Sequence, residues 1–254
     1  MIFSWLRRRR RAKLLAEPFP VEWLAVLDKN VPHYRRLEPD DQRRLREFVR
    51  LLIAEKNWEG CGGLALTDGI KVTIAALACL LVLRRDLDAY AALFSILVYP
   101  DSYMAAESEF PLRIPRDVGP REGESWSSGA VIVNWAELVK NLREQRGHNL
   151  VLHEFAHQLD YGDREANGVP LVDGYRQYAQ WRQVIDAEYR QLVAAAEEGR
   201  PTVLDKYGTM NEAEFFAVAT ECFFERPRPL RDQHATLYQL LAEYYRQDPA
   251  GWRE

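Results

Sequence analysis

Cysteine is scarce in this chain: three residues among 254, Cys61, Cys79 and Cys222, with no paired spacing and no Cys-x-x-Cys. That excludes a disulfide framework and disfavours a Cys-rich structural metal site; it fits buried thiols in a reducing, cytoplasmic compartment. Long apolar runs are missing too. The longest, Thr73 to Leu83, falls well short of the roughly 20 residues that span a membrane, and Arg84, Arg85 and Asp86 close it. There is no overall excess of positive charge. The formal net charge is −4, so the protein as a whole is not built to bind nucleic acid, and no direct nucleic-acid contact is expected. Internal repeats are absent, and the one low-complexity segment is an arginine run. What is present, 47% apolar and 28% charged residues, is the make-up of a globular protein able to bury a sizeable core.

The arginine run, Arg7 to Arg11 with Lys13 after it, follows Met1-Ile-Phe-Ser-Trp-Leu6. A secretory signal puts its charge before a longer apolar stretch, the reverse of this order. Residues 1–16 therefore read as a basic, solvated, mobile tail. The sharper alternative is a peripheral contact with a membrane or an acidic partner through Phe3, Trp5 and the arginines. Residues 17–254 read as one domain, helical to about residue 90, with a core from about 91 onward.

In the helical part, helices are expected over Val21 to Asn30, Pro39 to about Glu55 and Asp68 to about Leu83. The middle one opens with Pro39 and two acids, and Leu45, Phe48, Val49, Leu52 and Ile53 recur at three and four positions. Trp58 to Gly63 reads as loop. In the core, Ala92 to Val98 and the β-branched Gly129 to Asn134 read as strands. The Pro-rich stretch between them, through Glu124, reads as loop with one or two short strands. Helices are expected over Trp135 to Leu142, Leu150 to Tyr161, Tyr175 to Glu198, Asn211 to Phe224 and Leu230 to Tyr245. Helices flanking a few strands make the fold class α+β.

The chemistry centres on His153-Glu154-Phe155-Ala156-His157. Positions i and i+4 share a helix face, so both imidazoles reach one ion. Two neutral imidazoles suit Zn²⁺, and a glutamate beside the first can act on a water at that ion. Apolar neighbours, Leu150, Val151, Leu152, Phe155, Ala156 and Leu159, mark the helix as buried, and buried histidines must be satisfied. The alternative, two surface histidines on an ordinary helix, loses ground in that setting.

A catalytic zinc takes three protein ligands. Asp163 keeps the metzincin ligand spacing, but Asp160 stands where that pattern has its Gly. Glu214 competes from a later helix, where Asn211, Glu214, Val218 and Glu221 share a face of an otherwise apolar run. Glu214 can also be a plain first-turn carboxylate like Glu212 beside it. Asp160 and Glu221 are candidate partners that orient a ligand histidine, or simply helix-surface acids.

Several linked motifs bear on that choice. His153 to Asp160, Ala213-Glu-Phe-Phe-Ala-Val-Ala-Thr-Glu-Cys-Phe-Phe224 and Tyr245-Arg-Gln-Asp-Pro249 resemble the Mlc titration factor A family of bacterial zinc peptidases. So do Leu97-Val-Tyr-Pro100, Gly123-Glu-Ser-Trp126-Ser-Ser-Gly129 and Val133-Asn-Trp135. The resemblance implies a zincin-like domain of gluzincin type, related to the catalytic domain of anthrax lethal factor. It implies one Zn²⁺ held by His153, His157 and Glu214, with Glu154 as general base and Tyr207 facing the substrate. Tyr207 would donate to the developing oxyanion, and the strand at Gly129, Ala130 and Val131 would be the edge that pairs with an extended peptide. Aminopeptidase activity on peptide substrates is implied, as is sequestration of an Mlc-like transcriptional repressor by binding that need not use the metal.

Overall fold

The computed structural model describes residues 2–101, 129–144, 146–163 and 166–253. Helix α1 (Ile2–Leu15), α2 (Val21–Asn30), α3 (Pro32–Arg36) and α4 (Pro39–Glu55) lead into strand β1 (Asn57–Gly60). Helix α5 (Asp68–Leu81) connects β1 to β2 (Ser95–Tyr99). Strand β3 (Ala130–Asn134) runs into α6 (Trp135–Glu144), followed by α7 (Leu150–Asp160), α8 (Gly174–Glu197), α9 (Glu212–Glu225), α10 (Pro227–Gln233) and α11 (Ala235–Tyr245). The fold is mostly helical α+β. Among the described residues there is one small sheet of three parallel strands in the order β1-β2-β3, with Trp58 opposite Ile96 and Ile96 opposite Val131.

Three helix starts are fixed by a side-chain cap. The Thr67 hydroxyl accepts from Ile70 N at the start of α5, Asn149 Oδ1 from Leu152 N at α7, and Asn211 Oδ1 from Glu214 N at α9. Helix α5 is buried on nearly every side from Ile70 to Leu81 and forms the centre of the core. The face of α7 carrying Val151, Leu152, Phe155 and Leu159 packs against α5, β3 and α9. Phe215, Phe216, Phe223 and Phe224 of α9 are all fully buried. At about 1.5–3 kcal/mol for each large apolar side chain buried, these four alone hold α9 firmly against its neighbours. Among the described residues, no helix is long and apolar enough to cross a membrane, and the three cysteines are free thiols.

Three expectations meet a different outcome, and a fourth is not reached by the described residues. The arginine run, expected as a tail, is helical: Arg11 donates to both carboxylate oxygens of Glu55 at 2.6 and 2.7 Å, and Arg7 pairs with Asp88. The loop expected at Trp58 contains β1, whose Asn-Trp-Glu-Gly sequence has no β-branched residue and which exists because β2 offers it a partner. Two helices, broken at His234, replace the single last one. Pro227 and Pro229 do not delay the first of these; they lie in the opening turn of α10, where a missing N–H costs nothing. The stretch expected as Pro-rich loop, including the Gly123-to-Ser128 motif, lies outside the described residues.

Candidate metal centre

The site is built where α7 and α9 cross. Helix α7 presents His153 and His157 one turn apart, with ring centroids 4.8 Å from each other. The two Nε2 atoms are 3.2 Å apart. Glu214, set at the third position of α9 by its Asn211 cap, would ordinarily reach back to that cap. Instead its carboxylate turns inward: Oε2 is 2.9 Å from His153 Nε2, and Oε1 is 3.5 Å from His157 Nε2. One ligand atom from each of the three residues falls within 4.8 Å of the others. Glu214 and His157 are almost completely buried.

Glu221, two turns further along α9, holds the other side of the same ring. Its Oε1 is 2.7 Å from His153 Nδ1, and its Oε2 accepts from Asn149 N at 2.6 Å. A carboxylate so placed accepts the hydrogen bond of Nδ1–H, which fixes the tautomer that can offer its lone pair from Nε2. Two imidazole nitrogens and a carboxylate then converge on one point, where a positive charge, a proton on His153 Nε2 or a metal ion in its place, satisfies all three. The donor set therefore fits a metal ion, and two nitrogens with one oxygen suit Zn²⁺ with one position left open.

The ionisation of the cluster follows from the same contacts. Burial works against a charged His153, but the carboxylates of Glu214 and Glu221 outweigh it and hold its pKa well above 6.5. Burial lowers the pKa of His157. Burial also opposes the charged form of Glu214, yet the two imidazoles win and its carboxyl is held far below the usual range. Glu154 has no such partner, and burial pushes it up to about 7.

Of the remaining expected residues, Tyr207 alone has a ring contact with the cluster. Tyr207 lies in the short 3₁₀ turn Lys206–Thr209 just before α9, its ring 6.0 Å from that of His153. Glu212 is drawn away from the site: Arg182 of α8 holds its carboxylate at 2.6 and 3.0 Å. Asp160, fully buried at the end of α7, accepts from Gly168 N at 3.1 Å. Gly168 has φ +75, and a Cβ there would lie 2.4 Å from Glu212 O, so Asp160 fastens a glycine-only turn against the start of α9. Among the described residues β3 is the end strand of the sheet, with Ala130 and Val131 paired to Ser95 and Ile96, and Gly129 O accepts from Phe94 N at 2.7 Å. The side chain of Asp163 lies outside the described residues. What residue reasoning missed is the brace behind Glu221. Asn149 Nδ2 donates to Glu225 Oε1 at 2.7 Å, so one cap residue fixes α7 to both acids of the last turns of α9. The available signal was a capping Asn directly before the motif helix.

The sequence model of the glucose-regulated metallo-peptidase M90 family matches residues 3–246. The chain belongs to this family. An uncharacterized protein of Synechocystis sp. is 39% identical over 249 residues, covering 96% of this chain and 90% of its own length. Mlc titration factor A of Klebsiella pneumoniae is 31% identical over 227 residues, covering 86% of this chain and 84% of its own. The protein of that name in Pectobacterium atrosepticum is 30% identical over 239 residues, covering 89% and 86%. M90 membership makes the chain a metallopeptidase-type protein and implies a metal. Among the described residues, His153, His157 and Glu214 are the one cluster of three such side chains close enough together to hold an ion.

Proposed function

We propose that this protein is a zinc-dependent peptidase, an aminopeptidase acting on short peptides, with one Zn²⁺ held by His153, His157 and Glu214. The observation that carries this reading is the convergence of His153 Nε2, His157 Nε2 and the Glu214 carboxylate, with Glu221 on the far nitrogen of His153. When bound, the ion supplies Lewis acidity at the scissile carbonyl and its attacking water. Glu154 is the general base. It takes a proton from the attacking water and delivers it to the leaving amine. Tyr207 donates its hydroxyl to the carbonyl oxygen as charge develops there; its ring position beside His153 supports that role. The outer edge of β3, at Gly129, Ala130 and Val131, pairs with the backbone of an extended substrate. Preference for a free N-terminus rests on the family resemblance, and the free thiols suit a cytoplasmic setting.

Peptide-library cleavage with metal analysis on wild type and Glu154→Gln tests this. Cleavage that a chelator abolishes, and that Glu154→Gln loses while keeping its zinc, supports the mechanism. Full activity in Glu154→Gln sinks it. A second reading is regulatory binding of an Mlc-like transcriptional repressor, supported by the name Mlc titration factor A carried by several relatives. It predicts capture of such a repressor by Glu154→Gln as tightly as by wild type; no capture by either protein removes it.

A further inference from the structure

Helix α1 has two faces, and only one of them is used by the fold. At 100° per residue, Arg7, Arg11 and Leu14 point one way. These are the docked residues: Arg11 reaches Glu55 at 2.6 Å and Asp88 at 3.0 Å, Arg7 pairs with Asp88, and Leu14 packs on the core. Arg10, at the flank, donates to Ala54 O at 3.2 Å. The opposite face carries Trp5, Leu6, Arg9 and Lys13, with Arg8 beside them. All five are exposed, Trp5 by 57% and Leu6 by 49%. The Arg9 guanidinium stands 5.5 Å from the centre of the Trp5 ring. No acid occurs before Glu17.

The apolar part of this face continues onto the body of the protein. Leu6 and Phe94 line the same depression, a cavity of about 440 Å³ between α1 and the segment 87–94. Phe94 is 69% exposed. Trp5, Leu6 and Phe94 are three of eight large apolar side chains exposed among the described residues; Leu6 and Phe94 line this depression, and Trp5 and Leu6 share the outward surface of α1 with Arg8, Arg9 and Lys13.

We propose that this surface, the outward face of α1 together with Phe94, docks on an anionic lipid bilayer. A bilayer interface satisfies both halves of the face. Indole, leucyl and phenyl groups enter the boundary of headgroups and acyl chains, while the guanidinium and ammonium groups meet lipid phosphates. A nucleic acid or an acidic protein surface would pair with the cations alone and leave the apolar side chains in water. The internal ion pairs of Arg7 and Arg11 keep the helix seated during contact, so the surface is formed before it binds.

The test is co-sedimentation of the full chain with vesicles of phosphatidylcholine alone and of phosphatidylcholine with phosphatidylglycerol. The wild type should bind only the anionic vesicles, and less at high salt. Each cation near the surface contributes about fivefold to partitioning, so Arg9→Gln/Lys13→Gln should bind about 25-fold more weakly. Trp5→Ala/Leu6→Ala should also lose binding, through its apolar contribution. All four positions are exposed, and thermal melts matching the wild type would show that both variants fold. Failure of the wild type to bind anionic vesicles overturns the proposal, as does undiminished binding by Arg9→Gln/Lys13→Gln. Loss of binding in that variant with full retention in Trp5→Ala/Leu6→Ala overturns it in favour of a plain polyanion site for an acidic protein or nucleic acid.

Discussion

Replacing Glu221 by alanine should separate metal affinity from fold stability. The carboxylate makes two contacts, 2.7 Å to the half-buried His153 Nδ1 and 2.6 Å to the buried Asn149 N. Loss of the first frees the His153 ring and its tautomer. Removing such an outer partner of a ligand histidine lowers metal affinity about 10–100-fold, or roughly 1.4–2.7 kcal/mol. Loss of the second leaves a buried backbone N–H unpaired, at about 1–3 kcal/mol of stability. Glu225→Ala is the control. Its carboxylate takes Asn149 Nδ2 at 2.7 Å and lies 3.6 Å from His33 Nε2, without touching His153. Both variants should melt earlier in the metal-free form, but only Glu221→Ala should lose zinc to a weaker competing chelator in an equilibrium titration. Glu221→Gln should not rescue fully, because one amide oxygen and one NH₂ face two donors. Unchanged zinc affinity in Glu221→Ala, or an equal loss in Glu225→Ala, would refute the idea that Glu221 acts through the ring of His153.

Four further outcomes are expected. Glu214→Ala should lose zinc while Asp163→Ala keeps it, as read by metal content after gel filtration; the reverse would move the third ligand to the metzincin-like position. Zinc binds the folded chain only, so free zinc at about a hundred times its dissociation constant should stabilise the metal-free protein by about 2.7 kcal/mol in denaturant unfolding, and a chelator should reverse this. Phe223→Ala should cost about 3–5 kcal/mol, because the ring is fully buried against Phe224, Tyr238 and Tyr245; chemical denaturation reads this directly. Burial pushes the Cys222 thiol up to about 12, raises Cys79 well above 9.0 and raises Cys61 as well, but Cys61 alone is partly exposed to a reagent. A thiol reagent at mildly alkaline pH should therefore modify only Cys61 in the folded protein, and all three thiols after denaturation.

The elements that could be read from the chain are those whose signal is their own. Helix α4 repeats its apolar residues at three and four positions, and α5 is apolar on every side; each then appears within about two residues of its expected ends. Strand β1 has no signal of its own. Its four residues become a strand through backbone bonds to β2, a partner some forty positions away, and no local pattern carries that information. Helix α1 fails for a related reason. Five consecutive arginines look solvated until Glu55 and Asp88, remote in sequence, are seen to meet them.

The candidate site leaves its mark in spacing, because metal chemistry asks for particular residues at particular intervals. His153 and His157 are one turn apart on α7, and Glu214 and Glu221 are seven residues, two turns, apart on α9. That second spacing puts about 10.5 Å between the backbone positions of the two acids, enough for their side chains to reach opposite edges of one imidazole. A buried aromatic helix has no packing reason to carry two acids on one face; the ring between them supplies the reason, with Glu214 on Nε2 and Glu221 on Nδ1. The sequence alone did not show which acid faced which nitrogen. Glu214 and Glu221 differ in that respect only through the direction in which α9 crosses α7. Reversing that direction would exchange the nitrogen that each carboxylate faces.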